Sequence, residues 1–347
     1  MPGEADIAAW YAAGRAVHFG ACLVLLGVFV FDRFVAAPAA RPDAAGIERR
    51  WRVIARCLAG LAWVVAWLSG LAWFGGVAMD MSGLALREAI KGDTAWLVWD
   101  QTQFGHLWKW RAAVTLGILL VAPAALALRP RSLWQVVGSW TAMLLAAALV
   151  ASLACAGHGQ TGGPVALHLG ADAVHLLVSG CWPAGLLPLA LLMISIRRSA
   201  DSQWRGLPVL VGRFSTMALG SVVLLGASGL VNAWCLVGTP SHLISTTYGW
   251  VLLAKVSLFC GMVVFGAVNL LRLKPRLARS AAAEGRDAIA RRLFRNVIAE
   301  MILAAAVLAA VGILGLLPPP AEHMQHEHHH VESAEPFEVR VGMTYRF

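Results

Sequence analysis

Along the chain, apolar residues gather into eight long runs, separated by shorter segments that carry most of the charge. The runs lie at about 8–36, 53–78, 105–128, 133–155, 168–196, 212–237, 248–272 and 297–317. A helix crosses the roughly 30 Å hydrocarbon core of a bilayer in about 20 apolar residues, so each run is long enough to span. The pattern predicts an all-α polytopic membrane protein with eight transmembrane helices, here helices 1 to 8.

Composition agrees. Of 347 residues, 59% are hydrophobic and 14% charged, against roughly 25% charged in a soluble domain. That is too little charge to coat a globule of this size, which excludes a soluble enzyme and a disordered chain. The net charge of +9 raises the question of a nucleic-acid partner. The connections at 33–56, 129–131, 197–213 and 272–295, however, hold 20 of the 28 Lys and Arg and alternate with base-poor ones. By the positive-inside rule these four are cytoplasmic, which predicts both termini outside and removes the nucleic-acid reading. Met1 to Asp6 carries two acids and no base, so the first run reads as a retained helix rather than a signal peptide. The six Cys form no CxxC pair and read mostly as packing residues.

Short matches recur in the same order. Ala16-Val17-His18 returns as Ala173-Val174-His175, and Ser69-Gly70-Leu71 as Ser228-Gly229-Leu230. Phe104-Gly105 with Arg111 matches Tyr248-Gly249 with Lys255, and Leu128-Arg129-Pro130-Arg131 matches Leu273-Lys274-Pro275-Arg276. These predict two parallel four-helix repeats, 1–155 and 156–317, followed by a tail at 318–347. An even helix number gives the halves one orientation, with a pseudo-twofold axis along the membrane normal and His18 facing His175 across it.

An ionisable residue within a membrane helix costs about 2.5–3.5 kcal/mol on insertion scales and asks for a reason. Arg15, His18, Asp172, His175, Lys255 and Glu300 qualify. His168, Asp172 and His175 follow i, i+4, i+7 spacing and form one helical stripe. This is either a buried polar network, with Asp172 orienting a histidine or pairing with Arg15, or a metal site of imidazole and carboxylate. All 11 His fall on the predicted outer side: His18, His106, His168 and His175 in helices, His158 and His242 in loops, and five in the tail. Met79 and Met81 end helix 2 and suit a soft ion. Cys22, one turn below His18, and Cys155, near His158, are candidate soft ligands or plain packing residues. The tail run with His323, Met324, His326 and His328 suits capture of divalent or cuprous ions. Phe337 to Phe347 alternates apolar and polar, as a strand would. Lys255 lies towards the outer side of helix 7. Glu300, near the inner end of helix 8, is expected to reach the cytoplasmic interface among Arg291, Arg292 and Arg295.

The run Ala156-Gly157-His158-Gly159, followed by Asp172, His175, Trp182 and Gly185-Leu186, resembles a stretch of the CopD copper-resistance family. Arg213-Phe214-Ser215, Ser228-Gly229, Tyr248-Gly249 with Lys255, Asn269 and Leu316-Leu317-Pro318-Pro319 followed by His323 extend the likeness. It covers helices 4 to 8 well and helices 1 to 3 loosely, through Arg15, His18 and Met81-Ser82-Gly83. Pro183, Leu271 and the long His-rich tail depart from the family pattern. The resemblance implies copper handling at a bacterial inner membrane, as uptake from the periplasm with a periplasmic copper carrier of the CopC type.

The expectation is therefore a non-enzymatic copper permease or relay, for Cu(I) or Cu(II). The tail, His158 and His242 would collect the ion, and His168, Met79 and Met81 would pass it to a deep site of His18, Asp172 and His175, with His106 nearby. Arg15, Lys255 and Asn269 would be structural polar residues. Two rivals stay open: a haem-binding redox protein with His18 and His175 as axial ligands, and a copper-binding sensor or assembly factor that moves nothing.

Overall fold

The computed structural model describes residues 4–39, 45–91, 93–128, 132–156, 164–197, 206–280 and 283–321. Among these residues the regular elements are all helical. Eight segments are long and apolar enough to cross a membrane: α1 (Ala12–Ala39), α2 (Gly46–Ser82), α3 (Gln103–Ala127), α4 (Leu133–Ala156), α5 (Val165–Arg197), α6 (Leu207–Val237), α7 (Thr247–Arg279) and α8 (Gly285–Leu314). They correspond one to one with the eight apolar runs. His158, His323, His326, His328 and the strand-like segment 337–347 lie outside the described residues.

Several helices run past their apolar stretch. At the start of α2, Glu48 pairs with Arg52 at 3.6 Å, and near the start of α8 Asp287 pairs with Arg291. Such i, i+4 pairs let charged sequence continue the helix. At its other end α8 stops at Leu314, before Gly315 and the Pro318-Pro319-Pro320 run, where ring closure removes backbone donors.

The lipid-facing surface of the bundle is apolar, and its buried polar side chains are set into an otherwise apolar core. Leu61, Leu68, Leu120, Leu230 and Trp250 are exposed, whereas Arg15, His18, Asp32, Arg111, His168, Asn269 and Glu300 are buried. This suits a lipid solvent, in which polar side chains must find partners between helices. The most enclosed helix, α1, packs against α2, α4, α5 and α8. Around it α3 lies on α4, α5 on α6, and α7 on α8.

Three irregularities interrupt this order. In α5 the helix stops at Cys181 and resumes at Leu186. Pro183 supplies no N–H there, and a Cβ on Gly185 would overlap the Cys181 carbonyl. Two stretches are π-helical, Asp32–Ala36 in α1 and Asn269–Leu273 in α7. Such wide turns often accompany functional sites.

The remaining short helices sit at the ends of α2, α3, α6 and α7. Leu86–Lys91 and Asp93–Gln101 precede α3, and His242–Ser245 precedes α7. The two long helices that follow start alike. Thr102 Oγ1 accepts from the Gly105 N–H at 2.9 Å, and Thr246 Oγ1 from the Gly249 N–H at 3.0 Å. Each threonine thereby satisfies a donor that a helix start leaves open.

Candidate functional site

Two histidines from different helices are held in the same way. On α1, His18 Nδ1 lies 2.9 Å from the Ala66 carbonyl and 3.3 Å from Ser69 Oγ, both on α2. On α5, His175 Nδ1 lies 3.0 Å from Ser228 Oγ, with the Leu225 carbonyl also engaged, both on α6. The Ala66 carbonyl accepts only, and the Ser228 hydroxyl gives its own hydrogen to the Leu224 carbonyl at 2.6 Å, so Nδ1 carries the proton in each ring and Nε2 carries the lone pair. Metal-ligating histidines are commonly oriented by such a bond from the second nitrogen.

What each Nε2 meets differs. At His18 the Arg111 guanidinium on α3 donates to Nε2 at 2.5 Å, and Cys22 Sγ stands 3.6 Å away. Arg111 also donates to the Leu149 carbonyl at 3.0 Å and to Ser152 Oγ on α4. The faces of the imidazole are flanked by Trp73 and Trp108, at ring-centre distances of 5.6 and 5.4 Å. His18 is thus a sealed station, 4% exposed, whose lone pair is already taken.

The second station is more open. His175 and Asp172 are half-buried on α5, facing Ser228 and Asn232 of α6. Asn232 Nδ2 donates to Asp172 Oδ1 at 3.2 Å, while Asn232 Oδ1 has no partner among the described residues. Lys255 from α7, His168 from α5 and Arg15 from α1 all lie within electrostatic range of Asp172. Two rungs result, His175 with Ser228 and Asp172 with Asn232.

Of the residues singled out from sequence, His168, Arg15 and Lys255 lie within electrostatic range of Asp172, while others stay apart. Met79 is buried in an apolar cluster with Ala78, Ala89 and Val98, under the two short helices before α3. Met81 is exposed, so the two thioethers do not converge. His106 is exposed at the start of α3, beside the ion pair of Asp100 with Lys109 at 2.8 Å. That lysine holds the Asp100 carboxyl below the usual carboxylate range. His242 bonds the Val237 carbonyl at 2.9 Å, closing its own loop. Among the described residues no group of three or more His, Cys, Asp or Glu is gathered as a metal centre.

Glu300 does not reach the Arg-rich interface expected of it. It is 2% exposed and accepts from Asn269 Nδ2 at 2.7 Å, and the Trp182 indole N–H is directed at the same carboxyl. Arg291, Arg292 and Arg295 lie exposed on α8, whereas Glu300 turns into the bundle. The sequence reading also missed Arg111 as an intramembrane charge and Asn232 as the partner of Asp172. An arginine seven residues into an apolar run was the available signal for the first. For the second there was the i+4 spacing of Asn232 from Ser228.

The N-terminal part, residues 5–168, matches the family described as copper resistance protein D-like, N-terminal domain, and residues 208–314 match copper resistance protein D. Copper resistance protein D of Pseudomonas syringae pv. tomato is 30% identical over 267 residues, which covers 74% of this chain and 84% of that protein. Inner membrane protein YebZ of Escherichia coli K12 is 29% identical over 248 residues, 68% of this chain and 79% of the relative. Copper transport protein CutJ of Bacillus subtilis 168 is 30% identical over 225 residues, 64% of this chain and 38% of that longer protein. No solved structure matches the chain. The chain belongs to the copper resistance protein D family.

Proposed function

We propose that the protein carries copper across the bacterial inner membrane, taking it up from the periplasm along α5. The observation that carries the reading is the way His175 is held. Its Nδ1 is fixed by Ser228, whose hydroxyl donates onward to the Leu224 carbonyl, which leaves the Nε2 lone pair for a ligand beside Asp172. Family membership supplies the metal, and the names of the relatives, copper resistance and copper transport, point the same way.

Copper is cargo here. His158, His242 and the tail residues His323, His326 and His328 would collect it outside, aided by delivery from a CopC-type carrier, and His168 would pass it to Asp172 and His175. Cu(I) and Cu(II) both suit imidazole, and thioether or thiolate donors favour Cu(I). Exposed Met81 and His106 would act as collecting groups at the surface, and buried Met79 packs in its apolar cluster.

The orientation with both termini outside rests on the basic connections. The arrangement of two parallel repeats gains support from matching bonds. His18 binds positions 66 and 69, His175 binds 225 and 228, and the caps at Thr102 and Thr246 stand 144 residues apart. His18 then serves as the sealed counterpart of His175, reachable by copper only if Arg111 moves. An axial haem bond at His18 would need the same Nε2, which Arg111 and two tryptophans enclose.

The test is copper uptake into proteoliposomes, with His175→Ala as the comparison. Uptake by the native chain that fails in the variant is expected. Equal uptake by both would remove the α5 site, no uptake by either would leave a binding or sensing protein, and a Soret band at near one haem per chain would replace the reading altogether.

A further inference from the structure

Below the His175 station, towards the basic end of the bundle, two helices lose their regularity beside a regular third. Trp182 opens the gap in α5, Asn269 opens the π-helical stretch of α7, and Glu300 of α8 is bonded to both. Trp182 stands seven residues beyond His175, about 10 Å further along the helix axis. Asn296 Nδ2 donates to Asn269 Oδ1 at 2.8 Å, so Asn296, Asn269 and Glu300 form a chain that ends on the carboxyl. Gly266 of α7 packs beside Glu300 Oε2 and the Trp182 ring. A Cβ on Gly266 would come 3.8 Å from that oxygen and 3.7 Å from the Trp182 ring.

The groups bonded to Glu300 are neutral donors. Charged groups on the surrounding helices are Asp172 and Arg197 of α5, Lys255, Arg272, Lys274, Arg276 and Arg279 of α7, and Arg286, Asp287, Arg291, Arg292 and Arg295 of α8, with Asp32 and Arg33 on α1. Arg197, Arg272, Arg276, Arg279, Arg291, Arg292 and Arg295 are exposed, whereas Asp32 is buried and accepts from Trp51 and Ser139. From α1, Arg15 bonds Gly315 at the opposite end of α8, at 3.4 Å. An acid placed inside a bundle in this way is a candidate for carrying protons or ions. Irregular backbone at membrane depth is tolerated where it is buried in protein or lines a cavity, and discontinuous helices of this kind border the ion sites of transporters.

We infer that Glu300 is a proton-exchange group on the copper path: its carboxyl holds a proton when no cation is beside it and releases that proton when copper arrives. The O–H bond breaks, the proton passes to water at the basic end, and the carboxylate compensates the charge of the ion. When copper leaves, a proton from that side returns to the same oxygen, and no electrons move. Oxygen and amide groups hold a soft ion weakly, and a station next to an exit requires weak binding. The inference rests on the copper-carrying reading above.

Two measurements test it separately from that reading. Infrared difference spectra of the copper-free protein should contain a carboxyl C=O band that disappears on Cu(I) loading and is missing in Glu300→Gln but shifted in Glu300→Asp. Titration with Cu(I) in weakly buffered detergent should release about one proton fewer per chain in Glu300→Gln than in the native chain. If transport fails in the native chain but the band is present and responds to copper, the transport reading falls and the exchange group stands. If the copper-free native chain lacks the band, or Glu300→Gln releases as many protons as the native chain, the exchange role is overturned. A Glu300→Gln protein that does not fold leaves Glu300→Asp to decide, because a carboxyl band that does not move in that variant belongs to another residue.

Discussion

The Arg111 guanidinium donates to His18 Nε2 at 2.5 Å, and the Leu149 carbonyl, Ser152 and Cys22 complete its surroundings. A buried cation held by neutral acceptors ties α3 to α1 and α4 at once. Hydrogen bonds to charged groups are worth about 1.5–3 kcal/mol each, and an acceptor left unpaired costs a similar amount.

Replacing Arg111 with Ala should therefore destabilise the protein by about 3 kcal/mol. Arg111→Lys keeps the charge but cannot fork to His18 and Leu149 together, and should fall between. Thermal unfolding in detergent checks this, and an Arg111→Ala protein that melts with the native chain would refute the bridging role.

Ser228 orients His175 without being placed to bind an ion itself. Ser228→Ala should weaken copper binding by about tenfold, the lower end of the usual effect of losing such a partner. His175→Ala should weaken it further, and Ser69→Ala, beside sealed His18, should leave it near the native value. Competition titration with a Cu(I) chelator reads all three.

The starts of α3 and α7 offer a paired comparison. Thr102→Ala and Thr246→Ala should each cost about 1 kcal/mol, as lost N-caps do. Gly105→Ala and Gly249→Ala should cost more, because the new methyl would overlap the Val98 and His242 carbonyls respectively. Unfolding of the four variants ranks them, and glycine variants as stable as the threonine ones would contradict the close approach.

At the surface, the pairing of Asp100 with Lys109 has a pH signature. Because the folded-state carboxyl titrates below its unfolded value, its contribution is present above the ordinary Asp range and fades as pH falls through the lower folded-state value. Asp100→Asn should thus be slightly less stable than the native chain at neutral pH and equal to it in strong acid. The pair is solvent-exposed, so high salt should also erase the difference. A gap between the two proteins that survives both acid and salt would assign the effect elsewhere.

The eight helices were legible because a span needs a long apolar run and little else. The stripe of His168, Asp172 and His175 was legible because helical spacing aligns residues within one helix. Spacing gives no rotation of one helix against another. That is why Arg15 was recognised as a candidate partner of Asp172 while Asn232 was not, and why Met79 and Met81 looked paired although one is buried and the other exposed. Glu300 was misplaced for a related reason. Nearby arginines in sequence suggested an interface, but on α8 they and Glu300 occupy different faces.

The bridge at Arg111 also bears on how the chain is made. Leu149 and Ser152, which accept from its guanidinium, lie on α4, and α4 leaves the ribosome after α3. Until it does, α3 carries an arginine that His18 and Cys22 on α1 alone can meet, at an insertion cost of about 2.5–3.5 kcal/mol. The acceptors of that guanidinium are therefore complete only once the fourth helix is in place.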